Sequence, residues 1–194
     1  RRDGETVYLG TGKNELLALI PKSNGIHYPR TTGLFHFAIL LPTREDLGRA
    51  FRHLLQHNVN LQGASDHIVS EALYLADPEG NGIEIYRDRP RGKWYKEGQF
   101  QLATLAMDTD GVLRAGMAND SVWRGLPDDT IMGHIHLHVA DVSTAEAFYG
   151  DILGMDVMAN MGSATFMSYD GYHHHLGANV WGGRVPPPAD ALGL

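Results

Sequence analysis

Residues 36–59 read HFAILLPTREDLGRAFRHLLQHNV, and residues 134–157 read HIHLHVADVSTAEAFYGDILGMDV. Aligned without a gap, the two stretches keep a constant offset of 98 positions. His36 falls on His134, Phe51 on Tyr149, Leu55 on Leu153 and Val59 on Val157. Each copy predicts a strand opening on histidine, a polar cap residue (Thr43, Asp141), an amphipathic helix and then a short strand. In the first copy Leu47, Phe51, Leu54 and Leu55 recur at helical spacing and form one apolar face. A repeat of this kind means that one supersecondary unit is used more than once.

Outward from this pair, a weaker match links TVYLGTGKNELLALIP, from Thr6, to TFMSYDGYHHHLGANV, from Thr165. It keeps Gly12 on Gly171 and Leu17 on Leu176, and both segments read as the last two strands of the same unit. The unit is therefore βαβββ. In the complete copy its strands are expected near 34–41, 59–62, 70–76 and 82–87, with the helix near 44–57. Asp77-Pro-Glu-Gly-Asn81 supplies a turn before the last strand. The expected organisation has five parts: 1–22 as the C-terminal part of a first βαβββ module, 33–90 as a second module, 91–131 as a connector, 132–182 as a third module, and 183–194 as a linker toward an absent fourth. On this reading the natural protein is longer at both ends.

Composition narrows the function. The 194 residues carry 16 Lys and Arg against 23 Asp and Glu, a formal charge of −7, and 43% are hydrophobic. That is enough apolar residue for a real core. An acidic chain without a long basic run argues against a nucleic-acid partner. The absence of cysteine excludes disulfides, a thiolate nucleophile and Cys-ligated metal. No stretch approaches the ~20 apolar residues of a membrane span. RRDGETVYLG leads into no apolar region of a signal peptide. No GxGxxG follows a strand. A soluble, cytoplasmic protein is expected, with no nucleic-acid or membrane partner. Histidine is in excess: 11 residues, six of them between His134 and His175.

The pattern of His opening the first strand and Glu in the last strand is carried by GLFHFAI around His36, by SDHIVSEALYLADPEGNGIEIYRD from Ser65 to Asp88, and by GHIHLHVADVSTAEAFYGDILGMDV in the next module. It resembles the vicinal oxygen chelate superfamily of glyoxalases, bleomycin resistance proteins and extradiol dioxygenases. The full module is similar to the metal-binding half of a catechol 2,3-dioxygenase-type enzyme. The resemblance implies an α+β fold of repeated βαβββ modules, pairing into open mixed sheets with helices outside. It implies a metal-dependent extradiol dioxygenase of aromatic-compound catabolism, cleaving a catechol-type diol with O2. Fe(II) is the implied metal, with Mn(II) or Zn(II) as alternatives. A homo-oligomer is implied too, because such modules commonly pair across dimers. The same scaffold also serves glyoxalase-like lyases and isomerases, and non-catalytic drug-binding proteins.

The resemblance assigns His36 and Glu84 to the metal, as part of a two-His-one-carboxylate set that leaves positions open for substrate and O2. The second histidine is then expected from a strand preceding residue 1. His67 takes the place of a histidine that bonds substrate or oxygen, and Tyr74 that of a tyrosine facing the same pocket. His134, as the repeat equivalent of His36, is a metal ligand of the third module, with His174 or His175 as its acid/base histidine. Independently of any family, His134, His136 and His138 alternate along one strand and so point to one face. In the first fragment, Glu15-Leu16 stands where His174 and His175 would fall. So either His67 does the acid/base work or the third module joins the working site in a different pairing. Each of these histidines also has an ordinary reading as a packed or hydrogen-bonded core residue. Met155, Met158 and Met161 read as core filling.

Overall fold

The computed structural model describes residues 1–117 and 123–193. Residues 118–122 of the expected connector and Leu194 of the expected linker lie outside the described residues. In chain order the elements are β1 (Arg2–Asp3), β2 (Thr6–Gly10), β3 (Glu15–Leu19), β4 (Gly33–Leu40), α1 (Arg44–Gln56), β5 (Gly63–Asp66), β6 (Ser70–Ala76) and β7 (Gly82–Asp88). They continue as β8 (Tyr95–Lys96), β9 (Gln99–Phe100), β10 (Leu105–Ala106), α2 (Thr109–Met117), β11 (Ile131–His138), α3 (Val142–Glu146), β12 (Asp156–Asn160), β13 (Ala164–Ser168) and β14 (Leu176–Asn179). The chain forms two compact units: Arg1–Pro21, Ile39–Ala76 and Ile83–Met132 in the first; Lys22–Ala38, Asp77–Gly82 and Gly133–Leu194 in the second.

In the first unit β1, β2 and β3 make a small antiparallel sheet. Strands β10, β5, β6 and β7 are neighbours in that order. The helices α1 and α2 cover one face of these strands. Leu47, Ala50 and Phe51 of α1 and Val112 of α2 pack with Leu73 and Leu75 of β6 and Ile85 of β7. Burying each large side chain contributes roughly 1.5–3 kcal/mol. Gly48 and Gly116 let the two helices touch, because a Cβ on either would run into the other's backbone. On the same face, the fully buried Glu71 accepts from Arg44 at 2.9 Å and from Arg87 at 2.7 Å. This ties the start of α1 to β6 and β7. Burial alone would raise the Glu71 pKa, but these hydrogen bonds and the charges of Arg87 and Arg89 hold it below the usual carboxylate value.

The start of α1 is as its sequence predicts: Thr43 Oγ1 accepts the Asp46 N–H at 3.1 Å. Its end explains one difference from the sequence reading. The strand expected at 59–62 instead forms at Gly63–Asp66. Asn58 takes a positive φ of 53°, and the N–H groups of Asn58 and Val59 bond back to Leu55 and Leu54. This is a Schellman closure, and the N–H of Val59 is used up by the helix. Val59 and Leu54 both pack on the core, so the apolar residues that suggested a strand are buried by the closure. Pairing with β6 starts at Gln62, whose N–H donates to the Tyr74 carbonyl at 2.7 Å.

In the second unit the neighbour order is β4, β11, β14, β13, β12. β11 and β14 run parallel, while β13 pairs antiparallel with both β14 and β12. The sheet content is thus mixed, as an α+β fold of this kind requires. Asp141 caps α3 through the Thr144 N–H at 2.8 Å. The helix then widens into a π-helical turn over Ala147–Ile152. The Pro-rich segment 183–192 is hydrogen-bonded along 22–32: the N–H of Ile26 donates to Asp190, that of Thr32 to Val185 and that of Leu192 to Ile26.

Candidate metal centre

Strand alternation decides which residues face the site. In β7 Ile83 and Ile85 pack toward the helices, which turns Glu84 to the other face. In β6 Leu73 and Leu75 do the same, which turns Tyr74 with Glu84. Ile39 and Leu41 belong to the helix-side core, so His36 lies on the opposite face of β4. In β11 Ile135 and Leu137 pack inward with Leu176 and Ala178 of β14. That leaves His134, His136 and His138 on the opposite face, with Gly177 and Asn179.

His36, Glu84 and His134 are buried, at 6%, 3% and 3% exposure. Each offers one ligand atom, and the three atoms lie within 4.8 Å of one another. The Nε2 atoms of His36 and His134 face each other at 3.4 Å. Two imidazole nitrogens and one carboxylate form the donor set of a transition-metal site. The residues present therefore fit a divalent ion. The sequence reading sought the second histidine before residue 1; the structure brings His134 to His36 and Glu84 from within the chain.

His67 and Tyr74 are brought together. His67 Nε2 and the Tyr74 hydroxyl stand 2.7 Å apart, and His67 Nδ1 lies 2.8 Å from the Ala103 carbonyl. That carbonyl only accepts, so His67 carries a hydrogen on Nδ1. Tyr74 also hydrogen-bonds Glu84, and burial, then the Glu84 charge, push its pKa up. The single hydroxyl hydrogen goes either to Glu84 or to His67. The pair holds a proton in either place.

The structure separates the two histidines that the sequence left as alternatives. His174 is buried, its ring centroid 4.1 Å from that of His134. Burial, then the neighbouring imidazoles of His134, His173, His136 and His36, hold its pKa well below the ordinary imidazole value. His175 is exposed, and its Nδ1 accepts from the Tyr169 N–H at 3.3 Å. It is not brought to the cluster. Sequence reasoning gave no role to His173 or Asn179. His173 is fully buried, with Nδ1 2.8 Å from that of His174. Asn179 contacts both His136 and His138. The alternation of Gly177 and Asn179 opposite the histidines was the available signal.

The model of the Glyoxalase/Bleomycin resistance protein/Dioxygenase superfamily matches residues 2–85. Over 202 aligned residues the chain is 48% identical to a protein named catechol-2,3-dioxygenase from Bacillus subtilis (strain 168). The match covers 100% of this chain and 70% of that protein. The solved structure described as "putative dioxygenase from Bacillus subtilis subsp. subtilis str. 168" aligns with a TM-score of 0.55 and 12% identity, a likeness of fold. It covers 93% of this chain and 53% of that one, so the chain spans about half of that protein's length. Among the described residues no helix is long and apolar enough to cross a membrane. By its full-length similarity to that relative, the chain belongs to the glyoxalase/bleomycin resistance protein/dioxygenase superfamily.

Proposed function

We propose that this chain carries the metal centre of an extradiol dioxygenase that opens a catechol-type aromatic diol with O2. The observation that supports the reading is the convergence of His36, Glu84 and His134, all buried, on one point. In this reading His36 and Glu84 come from the 33–90 module and His134 from the 132–182 module. Fe(II) is the metal, and Mn(II) or Zn(II) would suit the same donors. When bound, such an ion supplies Lewis acidity and, for iron or manganese, the one-electron chemistry that O2 requires.

The chain's own residues then have separable tasks. The two histidines and Glu84 hold the ion. Tyr74 orients the Glu84 carboxylate through its hydrogen bond, as partners behind metal ligands do. His174, buried against His134, is a base for a proton leaving the diol. The His67–Tyr74 pair is a second place where a proton is held during ring opening. His175, which is exposed, has no part in the reading.

The test is metal analysis of protein purified without chelator, with O2 uptake and yellow colour measured on adding catechol in air. Near-stoichiometric iron or manganese, with uptake abolished in His36→Ala, supports the reading. Stoichiometric zinc or nickel without O2 uptake would replace it with a glyoxalase-like lyase or isomerase. A chain that retains no metal would be a binding protein of the same fold.

A further inference from the structure

The end of α1 carries two histidines, His53 and His57, that the metal centre does not use. We propose that this pair is a second metal site, which chelates a divalent copper or nickel ion through one nitrogen of each ring.

Helical spacing brings the two rings together. Residues four apart lie one above the other on the same helix face. His57 caps α1, and its own N–H is still bonded to the His53 carbonyl, so the spacing holds to the last turn. The ring centroids are 4.1 Å apart. Two imidazoles bound at a right angle to one ion, through metal–nitrogen bonds of about 2.1 Å, have their centroids about 4.5 Å apart. The pair therefore stands close to chelating geometry before an ion arrives.

Each ring is held from a different side. His53 lies flat against Trp123, with centroids 4.5 Å apart and planes inclined by 15°. Trp123 in turn packs on the apolar core of the same unit. His57 Nδ1 lies 2.9 Å from the His53 carbonyl oxygen. A carbonyl only accepts, so the ring hydrogen of His57 sits on Nδ1, and Nε2 is the nitrogen left for a ligand. Rings fixed in this way lose little further freedom on binding, which is how preorganisation raises affinity.

The surroundings suit a cation. His57 is exposed and His53 half-buried, so an ion reaches them from solvent and water completes its coordination. The last carbonyls of a helix are the negative end of its dipole. Burial, then the neighbouring His57, lowers the His53 pKa, which favours the bare nitrogen that a metal takes. A pair of imidazole nitrogens at a right angle suits Cu(II) first and Ni(II) next, since both accept tetragonal coordination. It binds Mn(II) and Fe(II) far more weakly. The pair shares no residue with His36, Glu84 and His134, and the inference does not rest on the metal-centre reading.

Trp123 supplies the test, because a Cu(II) ion beside the ring it stacks on quenches its fluorescence. Cu(II) is titrated into the metal-free chain while tryptophan emission is followed. The chain has three tryptophans, so the Trp123 contribution is the difference between the wild type and Trp123→Phe, which keeps a ring on His53. That contribution should fall saturably with Cu(II) and stay unchanged with Mn(II) at the same concentrations. His57→Gln and His57→Lys both suit an exposed helix end. Each should need at least about tenfold more Cu(II), because the second arm of a chelate binds intramolecularly. A Trp123 contribution that Cu(II) does not quench overturns the proposal. So does quenching at wild-type Cu(II) concentrations in either His57 variant.

Discussion

The first copy of the repeat, β4 with α1, and the second, β11 with α3, set a buried histidine at the same position, His36 and His134. Beyond that histidine they part. α1 runs 13 residues, closes on Asn58 and buries Leu47, Ala50 and Phe51. α3 stops after five residues and widens into a π-helical turn. There Tyr149 is half-buried, while Phe148 and Ile152 are 48% and 71% exposed. The repeat equivalents explain the difference: Ala145 stands for Leu47, Val142 for Arg44 and Asp156 for Asn58. The second copy lacks the core-filling leucine, the anchoring arginine and the closing residue. What the repeat keeps is the strand that aims a ligand. A helix that only covers a sheet tolerates change.

Phe51→Ala against Tyr149→Ala should break this comparison most visibly. Removing Phe51 should cost about 3–5 kcal/mol in urea denaturation, as for a buried aromatic ring. Tyr149→Ala, at the equivalent position, should cost clearly less, about 1–2 kcal/mol. Equal losses would mean the two helices are held alike.

Glu71→Gln tests the anchor that only the first copy has. It leaves the guanidinium of Arg87 buried without its charge partner and should cost about 3 kcal/mol. Because the Glu71 pKa is depressed in the folded state, its contribution is complete above the unfolded carboxylate value of about 4.3. It is lost as pH falls through the lower folded value. Stability of the wild type should therefore fall in that acid window more steeply than that of Glu71→Gln. Parallel curves would remove Glu71 from the cause.

The smallest effect is at the closure. Asn58→Ala, at a φ of 53°, should cost about 1 kcal/mol, and Asn58→Gly should cost nothing measurable. Thermal denaturation of the two variants side by side decides it.

The sites of legibility follow from period and chain distance. Period-two alternation identified one face of β11, and the spacing of Leu47 and Phe51 identified α1. The cap residues Thr43 and Asp141 were readable because capping is local. The strand placed at 59–62 was not readable, since the N–H of Val59 is spent on a helix closure set by the backbone of Asn58. The choice between His174 and His175 could not be made either. Residues 170–175 precede β14 and lie outside regular strand, so no alternation fixes where each ring points. The approach of His134 to His36 and Glu84 joins residues up to 98 positions apart, and strand order, not local pattern, brings it about.

The central claim is that His36, Glu84 and His134 bind one ion together. The most direct measurement is metal content after anaerobic reconstitution with Fe(II) and removal of excess, for the wild type and for His36→Ala, Glu84→Ala and His134→Ala. The expected result is about one equivalent in the wild type and less than about a tenth of that in each variant, because all three donors share a single ion. Full metal content in any one of the three variants would contradict the site.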